Sequence, residues 1–227
     1  SPVMSSNRSG LQSGSAGPGD VTLATGGAVD QSRDPAGQPR ERADAARNRA
    51  KVLAAAEDLF ARRGMDAVTI DDVAAAAGVG KGTVYRRFGD KAGLGAALLD
   101  ERGRQLQQDL ISGAAPLGPG ASPPVRLAAF VTAYLAFQAR HLDLVRMSEL
   151  PPRGRLRNPA YGFWRQHVRL LLGQCDGPDA DIRAGVLLAA LSAEQVYHWL
   201  HVEERPLTDL TAALVRTAVA LTGTATG

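Results

Sequence analysis

The sequence predicts an all-α protein in which a small N-terminal three-helix domain is joined by a long helix to a larger helical domain. Three observations carry this expectation. Apolar residues recur at helical spacing from about Arg42 to Thr222. No alternating strand pattern of useful length interrupts them. Capping residues, glycines and prolines punctuate the chain at intervals of helical length.

Residues 1–39 are rich in Gly, Ser, Pro and Gln and almost free of large apolar side chains, so burial there cannot offset ordering entropy. A disordered tail is expected, with Met4 as the native start. Val52, Leu53, Ala56, Leu59 and Phe60 then form one stripe of an amphipathic helix, closed by Arg62, Arg63 and a Gly64 C-cap. Thr69, with Asp72 three residues on, reads as a variant capping box. The short helix it opens turns Ile70, Val73, Ala74 and Ala77 inward. Gly78 breaks it, and a second short helix is expected over Thr83–Arg87. Asp90 caps a longer helix to about Ile111, and Gly113–Pro124 reads as a loop. Ser122-Pro123-Pro124 starts a helix to about Arg140, and Leu142–Leu150 is a short one stopped by Pro151-Pro152. Asn158 or Pro159 opens the next, to about Gln174, followed by Asp179–Val202 and Leu207–Thr222. Residues 223–227 are a C-terminal tail.

The 227 residues carry 26 basic and 23 acidic groups, a formal net charge of +3. Residues 40–91 hold 11 bases and 8 acids, including all three lysines, so the excess sits in one segment. The single cysteine, Cys175, excludes a disulfide framework within the chain and fits a reducing compartment. No apolar run approaches the ~20 residues of a membrane span, and no signal-peptide pattern opens the chain. A cytoplasmic location is expected.

The densest motif is Thr69–Phe88. Two short helices crossing steeply need a small residue at the crossing and a flexible one at the turn, which Ala74 and Gly78 supply; Val84 docks the second helix. The exposed face of that helix offers Lys81, Thr83, Tyr85, Arg86 and Arg87 to a groove about 12 Å wide. The run Ala-Ala-Gly-Val-Gly-Lys-Gly-Thr-Val-Tyr-Arg-Arg-Phe-Gly-Asp-Lys (76–91), with Arg-Arg-Gly-Met-Asp-Ala-Val-Thr-Ile-Asp-Asp-Val-Ala before it (62–74), closely resembles the TetR family of repressors. The resemblance covers about Arg47–Leu94. Gly80 departs from it, standing where a serine cap is frequent, and so does Gly93, where a glutamate is common. The resemblance implies residue roles. Thr69, Lys91 and Arg47 hold phosphates, and Tyr85 and Arg86 sit at the groove edge. Lys81, Gly82 and Thr83 approach base edges and backbone. It also divides the chain into a helix-turn-helix DNA-binding domain, 40–91, and a ligand-binding and dimerisation domain, 92–222.

Residues 125–222 contain eight of the eleven aromatic residues. Phe130, Tyr134, Phe137 and His141 fall on one helix face, and Tyr161, Trp164, Val168 and Leu171 on another. Such stripes are commonly plain core. With the polar groups His167, Gln195 and His198 interleaved, they also fit a small-ligand pocket. The pocket set is thus Phe130, Tyr134, Phe137, His141, Tyr161, Trp164, His167, Gln195 and His198. Asp179–Val202 is apolar on nearly all sides, and Leu207–Thr222 has a clean stripe. By resemblance these two helices make the dimer interface, with Leu187, Leu191, Leu210, Leu214 and Leu221 its residues. Arg146, Arg153, Arg155, Arg157, Arg165 and Arg169 cluster about a stretch read as a solvated loop.

No phosphate-binding loop, nucleophile elbow or zinc-type cluster occurs, so neither an enzyme nor a cofactor is expected. His198 and His201, three apart, leave a metal-responsive regulator as one alternative. A ligand-independent regulator, and a helical small-molecule-binding protein or enzyme without a DNA role, are the others. The function implied is a homodimeric, sequence-specific transcriptional repressor on a palindromic double-stranded DNA operator, released by a small-molecule inducer, with no membrane partner.

Overall fold

A computed structural model describes residues 37–149 and 154–223. The expected 1–39 tail lies outside them up to residue 36, as do the helix stop at Leu150–Pro152 and residues 224–227 of the C-terminal tail. Among the described residues every regular element is helical, and no helix is long and apolar enough to cross a membrane.

The first helix, α1 (Gly37–Arg63), begins five residues before the expected start and ends at Gly64, whose φ of +76° suits a glycine. Helix α2 (Ile70–Ala77) opens on the expected capping box. The Thr69 hydroxyl accepts from the Asp72 amide at 3.1 Å, and the Asp72 carboxylate accepts from the Thr69 amide at 2.9 Å. Gly78, in the left-handed region, closes α2 by donating to the Ala75 carbonyl at 3.2 Å. Helix α3 (Lys81–Phe88) starts two residues earlier than the sequence suggested. Gly80 is extended there, so the helix begins as soon as the chain turns, with no side-chain cap on its first amides.

Helix α4 (Lys91–Ser112) is capped by Asp90, which accepts from the Gly93 amide at 2.7 Å. Val52, Leu53, Ala56 and Leu59 of α1 close a core with Val68, with Ile70, Val73 and Ala74 of α2, with Val84 and Phe88 of α3, and with Leu94 and Leu98 of α4. At about 1.5–3 kcal/mol for each fully buried aliphatic side chain, burial accounts for the cohesion of this small unit.

The larger core is built on α5 (Pro123–Arg140), against which α8 (Pro159–Gly173) and α11 (Leu207–Ala220) pack, with α9 (Ala180–Ala190) along α8. Ser122 stands at the N-cap of α5 but makes no side-chain cap bond; the two prolines in the first turn leave little for it to satisfy. Helix α6 (Leu142–Glu149) is followed, within the stretch expected to be a loop, by a single helical turn α7 (Gly154–Arg157).

The expected helix Asp179–Val202 is not continuous. It stops at Ala190, restarts as α10 (Ala193–Tyr197) and ends in a π-helical turn, His198–Val202. Side chains from elsewhere satisfy the break. Gln138 of α5 donates to the Leu191 carbonyl at 2.6 Å, and Glu149 of α6 accepts from the Ala193 amide at 3.1 Å. Ser192 caps α10 by accepting from the Gln195 amide.

The residues expected at a dimer interface lie mostly inside the chain's own core. Leu187, Leu191, Leu210 and Leu214 are 0–6% exposed within the chain's own core, and Leu221 is half-buried against it. Side chains already withdrawn from water have nothing left to bury against a partner. The exposed apolar side chains of α9 are Ile182 (65%) and Val186 (56%).

One ionic cluster joins α1 to the larger core. Glu57 of α1 is buried; it accepts from Nε of Arg102 (α4) at 2.9 Å and from Nε of Arg140 (α5) at 2.8 Å. His141 Nε2 lies 3.4 Å from the same carboxylate. Burial pushes the Glu57 carboxyl up, but the hydrogen bonds and charges of the two arginines outweigh it and hold the group below its ordinary value.

Candidate DNA-reading surface and ligand cavity

Helix α3 is held from behind and exposed in front. Val84 and Phe88 are in the core, Arg87 donates to the Ala45 carbonyl of α1 at 2.8 Å, and the Arg49 guanidinium lies 5.6 Å from the centre of the Phe88 ring. Lys81, Gly82, Tyr85 and Arg86 face solvent, with Thr83 half-buried beside them. Lys81 Nζ donates to Asp71 at 2.7 Å and lies 5.7 Å from the Tyr85 ring centre. Arg86 has no ion-pair partner among the described residues. Without a side-chain cap, the first amides of α3 are left as a positive helix end on the same face.

Three residues assigned to phosphates have other engagements. The Thr69 hydroxyl donates to Asp72 Oδ2 at 2.7 Å, and the Thr69 amide donates to the same carboxylate. Lys91 Nζ donates to the carbonyls of Met65 and Asp66 at 3.0 and 3.2 Å, which fastens the α1–α2 connection to α4. Arg47 pairs with Asp44 on the exposed side of α1. Lys91 is therefore first a structural tie.

A cavity of about 500 Å3 lies between α4, α5, α6, α7 and α8, within the range of small-molecule sites. Aromatic rings dominate its wall: Tyr134 and Phe137 from α5, and Tyr161, Phe163 and Trp164 from α8. The Trp164 and Tyr134 rings are 5.6 Å apart, and Phe163 meets Trp164 edge-on at 5.2 Å. Leu99 and Gly103 of α4 and Val145 of α6 complete the apolar part.

The polar part is an ion pair. Arg155 Nε is 3.3 Å from Glu149 Oε1, and the guanidinium lies 4.8 Å from the Tyr161 ring centre while also donating to the Leu188 carbonyl. Burial pushes the Glu149 carboxyl up, opposed chiefly by the Arg155 charge. Burial likewise pushes the Tyr134 phenol well above its ordinary value, so it stays a neutral hydroxyl. Asp100 and Arg104 add a second acid and base to the lining.

Residues 52–98 match the family model described as bacterial regulatory proteins, tetR family. Over that segment the chain is similar to the TetR family. The HTH-type transcriptional repressor Rv3405c of Mycobacterium tuberculosis is 42% identical to it over 90 residues, 40% of this chain and 44% of that protein. The HTH-type transcriptional regulator TtgR of Pseudomonas putida is 43% identical over 61 residues, 27% of this chain and 29% of its own. The matches thus span less than half the length of either relative. The fold extends further. The Bacillus subtilis regulator FadR in complex with stearoyl-CoA superimposes with a TM-score of 0.56 at 17% identity, over 75% of this chain and 97% of its own. A Saccharomonospora viridis regulator in complex with choline gives 0.59 at 23%, over 73% and 92%.

Four sequence-predicted pocket residues, Tyr134, Phe137, Tyr161 and Trp164, share one cavity. Phe130 lies beneath it, fully buried, its ring 5.4 Å from that of Tyr134. His141 falls on the predicted stripe, its ring 5.3 Å from that of Phe137, but it lies outside the cavity and its Nε2 faces Glu57. His167 lines a different cavity. Gln195 is half-buried and outside both. His198 is half-exposed and faces Glu203 at 3.3 Å, while the His201 ring lies 4.9 Å from that of Tyr197, so this pair is turned to other neighbours. The sequence reading missed Glu149 and Arg155, which bring the charge into the cavity. The charge cluster around Arg155 is visible in the sequence, but nothing local distinguishes an arginine turned inward from one in solvent.

Proposed function

We propose that this protein is a transcriptional repressor that binds a palindromic operator as a homodimer and releases it when a small molecule fills the 500 Å3 cavity. The observation that carries the reading is helix α3, anchored by Val84, Phe88 and Arg87 while Lys81, Tyr85 and Arg86 face solvent. Its cations supply phosphate attraction, and its length and exposed face fit a major groove. A second copy supplies the second half-site, and the exposed Ile182 and Val186 of α9 are the apolar surface offered to it. Two proteins with the same fold hold a small ligand, stearoyl-CoA in one and choline in the other, which supports a ligand role for the cavity. Ligand acts only through unequal affinity for the DNA-binding and released states.

Selection of bound DNA from a random pool tests this directly. The expected result is an enriched inverted repeat with half-sites about 34 Å apart, or a multiple of that spacing. Binding should weaken in Arg86→Ala and Tyr85→Ala at matched salt, with thermal unfolding unchanged. No enrichment, or full binding by both variants, would overturn the reading.

A further inference from the structure

A second cavity lies on the other side of Phe163, which stands in the wall of both. Its volume is about 330 Å3, near the low end for small-molecule sites. It opens between the end of α4, the start of α5 and the second half of α8. Its charge balance differs from that of the larger cavity. There, Asp100 and Glu149 offset Arg104 and Arg155; here, Arg126 and His167 stand in the wall and no acid does.

Arg126 is half-buried and has no carboxylate partner among the described residues. One guanidinium nitrogen donates to the Leu110 carbonyl at 3.1 Å, while Nε is closed to solvent and unpaired. His167 Nε2 is closed to solvent and unpaired as well. A partly buried guanidinium is ordinarily neutralised, and buried polar atoms are ordinarily bonded. Burial, and secondarily the Arg126 charge, push the imidazole down to about 4. Apart from the neutral amides Gln166 and Gln174 the remaining wall is apolar, and two aliphatic side chains on it, Ile111 (58% exposed) and Leu170 (50%), reach into solvent.

We propose that this cavity binds an amphipathic monocarboxylate, with its carboxylate held by Arg126 and His167 and its tail against Ile111, Leu170 and Phe163. One guanidinium matches one carboxylate as a fork. The aliphatic side chains give the tail a surface from which water gains little by staying. Because both nitrogens are closed to solvent, the ligand parts the wall to pair them, so binding is an induced fit. Arg126 and His167 line this cavity and not the larger one, although the two share Phe163.

Calorimetric titration of the full chain with octanoate and with octan-1-ol tests it, alongside NMR of the His167 imidazole, assigned by its loss in His167→Gln. Octanoate is expected to bind about tenfold or more tighter than the alcohol. Arg126→Gln should abolish that preference, and Arg126→Lys, which keeps the charge, should retain most of it. In the octanoate complex the His167 titration midpoint should rise, since a facing carboxylate favours the imidazolium. Equal affinity for acid and alcohol, an unaltered preference in Arg126→Gln, or a stationary His167 would each overturn the proposal. Octanoate lodged in the larger cavity would show as a change in Trp164 fluorescence that Arg126→Gln leaves intact, and that too would overturn it.

Discussion

Replacing Glu57 by glutamine probes the joint between the helix-turn-helix unit and the larger core. The Glu57 side chain is 10% exposed, while its partners Arg102 and Arg140 are 35% and 59% exposed. A hydrogen bond to a charged group contributes about 1.5–3 kcal/mol, and two would double that. Both arginines can turn to water, however, and the amide oxygen of glutamine still accepts one bond, so the discounted loss is about 1–3 kcal/mol. Urea unfolding at pH 7 measures it as a lower midpoint at constant slope. The pH dependence follows from the sign of the shift. Glu57 is held below its ordinary value of 4.5, so its contribution is complete above that pH and is lost as pH falls through the lower, folded-state value. The deficit of Glu57→Gln should therefore narrow under acid conditions. His141 supplies an independent readout. Burial depresses it and the Glu57 charge partly restores it, so removing the charge should lower the His141 midpoint further. A variant as stable as the parent at pH 7, or a deficit that does not narrow as pH falls below the ordinary value of 4.5, would refute the account.

Gly78→Ala should cost about 1–2 kcal/mol without altering α3, because φ is +64° there and a Cβ meets no neighbouring atom; thermal unfolding and helix content would check it. His167→Leu should lessen the stability lost on acidification. The wild-type imidazole, pushed down to about 4, resists protonation that the unfolded chain accepts from about pH 6.5. Between pH 7 and pH 5 this single group removes up to about 2 kcal/mol, on the order of 1 after solvent screening, and the difference in urea midpoints would show it. Val186→Glu should leave the monomer folded and shift sedimentation of the homodimer towards monomer at micromolar concentration, since the side chain is 56% exposed on the proposed partner-facing side of α9.

Features that depend on neighbours in sequence were legible before the fold was known. The Thr69–Asp72 box, the Gly64 and Gly78 stops and the Asp90 cap each need only three or four residues and a sign of φ. Val84 and Ala74 were legible as the contact between the two short helices for the same reason. The break after Ala190 was not, because its backbone groups are satisfied by Gln138 and Glu149, 53 and 44 residues away. Nor could the exposed side of α9 be read from hydrophobicity. The segment is apolar nearly all round, and only packing against α8 shows that Leu187 and Leu188 go inward while Ile182 and Val186 remain outside. The same limitation explains Arg155. Its inward turn is set by Glu149, Tyr161 and a carbonyl at Leu188, none of which is near enough in sequence to mark it.

On the proposed function, the cavity and the DNA-reading unit must be linked by elements with one face in each, and α4 and α6 meet that condition. Leu94 and Leu98 of α4 belong to the helix-turn-helix core, while Leu99 and Gly103 line the cavity. Leu144 of α6 is buried in the same small core, and Val145, Ser148 and Glu149 of α6 line the same cavity. The two helices touch closely: a Cβ added at Gly95 would lie 2.7 Å from Leu144 Cδ2, so this glycine is where α6 sits down on α4. Close-packed interiors transmit displacement because they have little free volume to absorb it. A ligand that pushes α6 away from α8 therefore moves Leu144 against Gly95, and with it the start of α4 from which α3 is hung. Glu57, bonded to α4 and to the end of α5 at once, resists that movement and so helps set how much differential binding energy a ligand must supply.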